Sequence, residues 1–178
     1  MPRRNACARW LRCRYRAVAS LVGIVRQRTD RKGAGRLEVA KRFGATATVN
    51  SVDGKAAETV MKITGERGVD TAIEAVGIPA TFELCQKVVA PGGTIANIGV
   101  HGTKVDLHLE NLWDRNVTIT TRLVDTVSTP MLLSVLGSHK IDPKLLITHR
   151  FKLDQMLDAY ETFAQAAKTR ALKVIIAC

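Results

Sequence analysis

The chain has 178 residues, which is enough for one domain, or for one domain with an appendage, and for a sizeable hydrophobic core. Its hydrophobic content of 46% and its charged content of 24% exclude a disordered polar chain. No apolar run approaches the length of about 18 residues that a membrane-spanning helix needs. An aromatic content of only 4% argues against a base-stacking platform for single-stranded nucleic acid.

The net charge of +11 is concentrated at the start of the chain. Residues 1–36 contain ten Arg and one Lys against the single acid Asp30, whereas residues 37–178 are close to neutral. We therefore separate residues 1–35 as a basic leader that matches no folded pattern and can be disordered. Three origins stay open for it: a targeting segment of the mitochondrial type, a basic arm for nucleic acid or anionic membrane, and a displaced start or shifted reading frame.

Helices and strands alternate after the leader, and Gly33-Ala34-Gly35 before them is interpreted as loop. Apolar residues at helical spacing predict helices at 37–43, 55–64, 79–89, 129–136 and 154–167. The last of these should turn inward an apolar face made of Met156, Leu157, Tyr160 and Phe163. Continuous apolar runs predict strands at 45–50, 69–76, 94–100, 117–124, 147–151 and Lys173–Ala177.

This alternation favours the α/β class. Strands that are apolar throughout indicate a parallel sheet with helices on both faces, so we predict a partial doubly wound, Rossmann-like fold. In such sheets, ligands bind beyond the carboxyl ends of the strands. Two predicted strands run into glycine-containing segments, Ala75-Val76-Gly77 and Ile98-Gly99-Val100. Taken singly, a glycine after a strand is more often a turn than a binding site.

Three segments together resemble the zinc-type medium-chain alcohol dehydrogenase family. They are Arg36-Leu-Glu-Val-Ala-Lys-Arg-Phe-Gly-Ala-Thr-Ala-Thr-Val-Asn, then Gly68-Val-Asp-Thr-Ala-Ile-Glu-Ala-Val-Gly, then Pro91-Gly-Gly-Thr-Ile-Ala-Asn-Ile-Gly-Val. The resemblance implies that residues 36–123 are part of a nicotinamide-cofactor-binding domain. It also implies that residues 124–178 form the C-terminal segment that packs back on the catalytic domain in relatives. Complete relatives are oxidoreductases that transfer hydride between an alcohol or aldehyde and NAD(P).

The resemblance also assigns expected cofactor contacts. Ala75 and Val76 fall where the chain passes the cofactor, and Ile98, Gly99 and Val100 fall beside the nicotinamide ring. From the residues alone, without the resemblance, Ile98 and Val100 would be interpreted as core.

Four further positions complete the expected contacts. Arg36 falls where a basic residue meets the adenosine ribose, and Lys173 where a cation meets the pyrophosphate. Arg122 and Leu123 fall on the strand whose backbone meets the carboxamide group of the nicotinamide ring. Without the resemblance, Arg36 and Lys173 would be interpreted as solvated surface charges.

Two departures from the family pattern concern the cofactor. The sequence contains no Gly-x-Gly-x-x-Gly phosphate loop. The position of the ribose-binding acid holds Arg31, and Asp30 lies one residue out of register. We therefore expect weak or no binding of NAD or NADP by this chain alone, with NAD favoured by the family.

This sequence lacks the ligand motifs that hold the catalytic zinc in relatives. There is no Gly-His-Glu motif, and no histidine is paired with Cys or acid at ligand spacing, although the chain contains His101, His108, His139 and His149. The four cysteines are not paired as a zinc cluster or a disulfide scaffold. We expect no metal site and no catalytic residue in this chain.

The expected function is therefore that of a C-terminal fragment of a zinc-dependent alcohol dehydrogenase-like oxidoreductase, inactive alone and located in the cytoplasm. The central first strand of the family sheet should be missing, and residues 20–25 could replace it as a strand. The alternative is a non-enzymatic binding or assembly module with a basic arm. Partners would be the cofactor and a small alcohol or aldehyde, with a homo-oligomer through the cofactor domain; a membrane is excluded and nucleic acid is not favoured.

Overall fold

The computed structural model describes residues 22–25, 34–123, 125–139 and 141–177. The strands are β1 (Val22–Val25), β2 (Ala47–Asn50), β3 (Val69–Glu74), β4 (Val89–Asn97), β5 (Thr118–Thr121), β6 (Ile147–Lys152) and β7 (Lys173–Ala177). The α-helices are α1 (Ala34–Arg42), α2 (Ala56–Ile63), α3 (Pro79–Val88), α4 (Thr129–Gly137), α5 (Met156–Ala164) and α6 (Ala166–Thr169). No helix within the described ranges has the length and apolar content that a bilayer crossing requires.

The described residues fall into two compact units. The first contains β1 to β5 with α2 and α3, and the second contains α1, α4, α5, α6, β6 and β7. Every strand pair is parallel, with the orders β1-β2, β3-β4-β5 and β6-β7. The predicted α/β class with parallel pairing is confirmed.

The core of the first unit lies between its sheet and its two helices. Helix α2 buries Ala56 and Val60, which are one turn apart, so its apolar stripe faces inward. On β4, Ile95 is fully buried. Helix α3 adds Phe82 and Val88 from its own apolar face. Burial of these side chains is the main term that holds the sheet in place.

The strands of the three-stranded sheet end earlier than predicted. Glu74, Asn97 and Thr121 are the last residues of β3, β4 and β5, and they lie side by side in the register. Strand β4 starts at Val89 rather than 94, because residues 90–93 are accommodated by a shift of register before Thr94. The glycine-containing segments 75–77 and 98–100 therefore follow their strands as loops at one edge of the sheet.

Two expectations about the start of the chain can be compared with the structure. Helix α1 begins at Ala34, so the interpretation of residues 34 and 35 as loop is wrong; glycine is tolerated in a first helical turn. Val22–Val25 forms a strand, but among the described strands it pairs only with β2. It therefore does not fill the position between β2 and β3. The other residues of the leader lie outside the described ranges.

The second unit buries few apolar side chains. Ala159 and Ala171 are its buried residues, whereas every described residue of α4 is at least partly exposed. The prediction that α5 turns its apolar residues inward is wrong, because the structure exposes Met156, Leu157, Tyr160 and Phe163. The physical reason is that β6 and β7 of this small unit cover only the Ala159 side of the helix.

Candidate functional site

The carboxyl edge of the β3-β4-β5 sheet collects most of the residues singled out in the sequence. Because the three strands are parallel and in register, the segments that follow them meet at the same edge. These residues are Ala75, Val76, Ile98, Gly99, Val100, Arg122 and Leu123. The loop after β5 is joined to β4, since the Arg122 backbone N–H donates to the Asn97 carbonyl at 3.2 Å.

The edge presents apolar side chains to solvent. Val76 is 53% exposed, Ile98 54%, Val100 78% and Leu123 78%. We call these four residues the apolar ledge. The expectation that Ile98 and Val100 could be core is wrong, because both lie past the end of β4 on the open side of the sheet. Exposed apolar groups grouped at a sheet edge are typical of a binding surface rather than of a random exterior.

A buried carboxylate lies beneath the apolar ledge. Glu74 is 1% exposed, at the last position of β3. Its Oε1 accepts hydrogen bonds from the backbone N–H of Val76 and of Gly77, both at 2.9 Å, and from the Thr81 hydroxyl at 2.6 Å. Its Oε2 lies 3.1 Å from the Gly77 nitrogen. The Glu74 side chain therefore fixes the loop that follows its own strand.

The environment of Glu74 favours its ionised form. Burial by itself would raise the pKa of the carboxyl group, but the hydrogen bonds from Thr81, Gly77 and Val76 outweigh burial, and the nearby His101 acts in the same direction. The net result is a pKa below its ordinary value. Glu74 is thus a structural anion at neutral pH.

The loops after β3 and β4 approach each other at two glycines. Gly77 has a φ of +82°, and a Cβ there would overlap the Val100 carbonyl. A Cβ at Gly99 would overlap Glu74 Oε2 and the Gly77 backbone nitrogen. Only glycine fits at these two positions, so the spacing of the loops depends on both.

A histidine and an asparagine link the same two loops. His101 Nε2 lies 2.8 Å from Asn97 Oδ1 and 3.3 Å from Glu74 Oε2. The Asn97 side-chain amide donates to the Gly99 carbonyl at 3.3 Å. The backbone N–H groups of Ile98 and Gly99 donate to the Glu74 carbonyl at 2.8 and 3.1 Å. The edge is therefore a hydrogen-bonded assembly and not a pair of independent turns.

Two expected contact residues lie in the other unit. Arg36 is exposed on α1, and Lys173 is exposed at the start of β7. Asp30 and Arg31, the candidates for the ribose-binding position, lie outside the described residues.

Within the described ranges, no group of three His, Cys, Asp or Glu side chains could hold a metal ion. His108 is paired with Glu110, and His149 stacks on Phe151 at a centroid distance of 6.4 Å. Cys85 lies on the buried face of α3, and burial raises the pKa of its thiol to about 11. These residues do not fit a catalytic zinc centre.

A separate depression of about 240 Å³ lies along the C-terminal half of α3. Its buried polar side chain is Gln86, which donates to the Asp106 carbonyl and accepts from the His108 backbone N–H. The hydrogen-bonding groups of the Gln86 amide are therefore already engaged, and the carboxyl edge remains the better candidate site.

Sequence reasoning missed the support beneath the edge. Glu74, Thr81 and Asn97 were not singled out, and His101 was named only as one of four histidines without a partner at metal-ligand spacing. One signal was present: an acid that ends an apolar strand, with glycine three residues later and threonine seven residues later. The partner that joins this acid to the next loop, His101, lies 27 residues further along, so no local pattern could reveal it.

Comparison with known proteins gives a consistent picture. A family model described as zinc-binding dehydrogenase matches residues 18–134, beginning ahead of the boundary expected at residue 36. An alcohol dehydrogenase of Cupriavidus necator is 34% identical over 145 residues, covering 79% of this chain and 39% of that protein. The chain thus spans about 40% of the length of the curated relatives that it matches.

Solved structures share the fold. The zinc-dependent alcohol dehydrogenase 2 of Streptococcus pneumoniae aligns with a TM-score of 0.77 and 50% identity, over 85% of this chain and 43% of that one. A zinc-binding dehydrogenase of Sinorhizobium meliloti, solved with NADP bound, aligns with a TM-score of 0.71 and 23% identity, over 88% of this chain and 45% of that one. The latter likeness is evidence of the fold alone.

Proposed function

The chain belongs to the zinc-binding dehydrogenase family, and from this premise we propose that the carboxyl edge of its β3-β4-β5 sheet binds the nicotinamide end of NAD or NADP. In this proposal the chain contributes the cofactor-binding part of an alcohol dehydrogenase-type oxidoreductase. When bound, the nicotinamide ring supplies the acceptor or donor of a hydride.

The observation that carries the proposal is the apolar ledge above a fixed backbone. Val76, Ile98 and Val100 offer apolar contact area to a planar ring, at the position where open parallel sheets bind ligands. The Glu74 carboxylate and the two glycines hold the loops beneath in one arrangement. A surface that is already ordered loses little conformational entropy on binding.

Binding by this chain should nevertheless be weak. The sequence has no Gly-x-Gly-x-x-Gly loop to hold the pyrophosphate, so the nicotinamide end must supply most of the affinity. We expect a Kd on the order of 1 mM, which corresponds to about −4 kcal/mol. NAD is favoured over NADP on the family resemblance.

The catalytic step is outside what the described residues can perform. They contain no group of three metal ligands, and the sequence contains no Gly-His-Glu motif, so we assign no step to zinc and no catalytic residue to this chain. We propose that the chain alone does not oxidise alcohols. The test is incubation with NAD, zinc and simple alcohols, in which sustained formation of reduced nicotinamide would contradict the proposal.

The C-terminal segment 124–178 is proposed to pack on a catalytic domain, as it does in complete relatives. The exposed apolar residues of α4 and α5, among them Leu133, Leu157 and Tyr160, support this assignment because the second unit does not cover them. A homo-oligomer through the first unit is also proposed, since β5 is an edge strand with exposed residues. The alternative of a basic nucleic-acid-binding arm depends on residues 1–35, most of which lie outside the described ranges.

The binding proposal is tested with the ¹⁵N-labelled full chain titrated with NADH to several millimolar. We expect saturable shifts of amide signals in segments 75–77, 98–100 and 122–123. Val100→Asp, which places a carboxylate on the exposed ledge, should remove these shifts.

Ile63→Asp provides the matched control. Ile63 is likewise an exposed apolar residue, at 49%, but it ends α2 and so lies towards the opposite edge of the sheet. This variant should keep the wild-type shifts. Wild-type shifts that are absent, or that cluster away from the three segments, would contradict the proposal.

A further inference from the structure

We propose that His101 is a positioning residue of the nicotinamide edge, whose ring ties the loop after β4 to the carboxylate at the end of β3. The contacts of His101 are observed in the structure, whereas their purpose, which is to position the edge for the cofactor, rests on the proposed function. His101 touches no reacting group in this scheme. It acts through Glu74 and Asn97 on the loops that carry Val76, Ile98 and Val100.

The neighbours of the His101 ring determine which nitrogen carries a hydrogen. Nε2 faces two oxygens, Asn97 Oδ1 at 2.8 Å and Glu74 Oε2 at 3.3 Å. The Asn97 amide is oriented by its own donation to the Gly99 carbonyl, which leaves Oδ1 as the acceptor towards His101. Glu74 is ionised, so its oxygens also accept. Nε2 must therefore carry the hydrogen and donate.

The Nε2 donor lies between side chains that hold the two loops. On one side, Glu74 holds the Val76 and Gly77 backbone nitrogens through its Oε1. On the other side, Asn97 holds the Gly99 carbonyl. His101 stands between Glu74 and Asn97, so its hydrogen bond to Asn97 and its 3.3 Å contact with the Glu74 carboxylate connect the first loop to the second. Removing the ring would break this side-chain connection, while the backbone hydrogen bonds from Ile98 and Gly99 to the Glu74 carbonyl would remain.

The His101 ring is held in place by packing. The His101 side chain is only 15% exposed, and its ring packs edge-on against Phe82 with centroids 6.0 Å apart. Its Nδ1 is buried and has no hydrogen-bond partner among the described residues. Nε2 is therefore the ring nitrogen that makes the connection. A replacement side chain should therefore keep the connection only if its donor nitrogen reaches the position of Nε2.

The test uses two amide substitutions that differ in reach. The side-chain nitrogen of His101→Gln can occupy the position of Nε2, whereas that of His101→Asn reaches only as far as Nδ1. The readout is hydrogen–deuterium exchange of amides 97–101 in the full chain. We expect about tenfold faster exchange in His101→Asn and in His101→Ala, with near wild-type protection in His101→Gln.

His108→Ala is the matched control, because that histidine is paired with Glu110 and lies beside the C-terminal half of α3, whereas His101 packs against Phe82 in the N-terminal half. It should leave exchange in 97–101 unchanged. If His101→Ala does not fold, Asn97→Ala tests the same connection from its other end and should accelerate exchange at Gly99 and Val100. Protection of 97–101 that is unchanged in His101→Asn, or equally lost in His101→Gln and His101→Asn, would overturn the proposal.

The same samples separate this inference from the proposed function. NADH at millimolar concentration should shift the amides of the edge in wild type and in His101→Gln but not in His101→Asn. If wild type shows no NADH shifts while the exchange pattern holds, the positioning role stands and the nicotinamide assignment fails. If NADH shifts are equal in all three proteins, His101 does not position the edge for the cofactor.

Discussion

The buried Glu74 carboxylate leads to a quantitative prediction for the substitution Glu74→Gln. The substitution keeps the size of the side chain and removes its charge. One of the two oxygens becomes an NH₂ group, which must then face N–H donors. The least costly orientation keeps the carbonyl oxygen towards Val76, Gly77 and Thr81, and turns the NH₂ group towards His101.

The magnitude follows from these contacts. A hydrogen bond to a charged acceptor contributes about 1.5–3 kcal/mol, and an opposed buried donor loses its partner outright. With one oxygen converted and the remaining bonds weakened by the lost charge, we expect Glu74→Gln to lower the free energy of unfolding by ~3 kcal/mol. Glu83→Gln is the control: its exposed pair with Lys87 at 2.7 Å should contribute ~0.5 kcal/mol or less.

The assay is urea unfolding of the full chain at neutral pH and again at decreasing pH. The pKa of Glu74 is lowered by folding, so its contribution to stability is complete above its ordinary pKa of 4.5 and is lost as the pH falls through the lower folded value. The difference between wild type and Glu74→Gln should therefore shrink below about pH 4.5. A neutral-pH loss no larger than that of Glu83→Gln would refute the reasoning.

One further substitution and one chemical modification test the same region. Gly99→Ala should destabilise the fold by ~2–3 kcal/mol, because its Cβ would overlap Glu74 and the backbone of Gly77, whereas Gly102→Ala, with open space around it, should change the melting temperature little. A Gly99→Ala protein as stable as Gly102→Ala would show that the loops are not packed as described. Cys85 is buried with a pKa of about 11, so at pH 8 iodoacetamide should modify the Cys85 peptide only after unfolding in urea. Rapid modification in the folded chain would contradict the burial of this thiol.

The sequence was sufficient for the class of fold and for which loops follow neighbouring strands at the carboxyl edge. Runs such as 69–74 and 94–97 predict strands of a parallel sheet, and parallel strands bring their following loops to one edge. The expected cover on both faces is not complete, because the described residues leave one face of β3 open, with Ile73 59% exposed. The glycines at 77 and 99 then mark where backbones approach closely. These inferences depend on the spacing of apolar residues and on the local composition, which are local properties of the chain.

The features that could not be predicted depend on contacts between residues that are distant in the sequence. The direction of the α5 apolar face was wrong because an amphipathic pattern shows that Leu157 and Tyr160 share a side but not whether a partner covers them. The role of Glu74 was missed because its partners come from β3, α3 and the loop after β4. The strand ends were placed two or three residues late because the apolar run continues into the loops that carry Val76 and Val100.

The central claim is that the apolar ledge receives the nicotinamide ring, and intermolecular nuclear Overhauser effects test it most directly. With methyl-labelled protein and NADH in excess, we predict contacts from the nicotinamide ring protons to the methyl groups of Val76, Ile98 and Val100. Contacts to these methyl groups from adenine protons alone, or nicotinamide contacts confined to residues away from the carboxyl edge, would contradict the account.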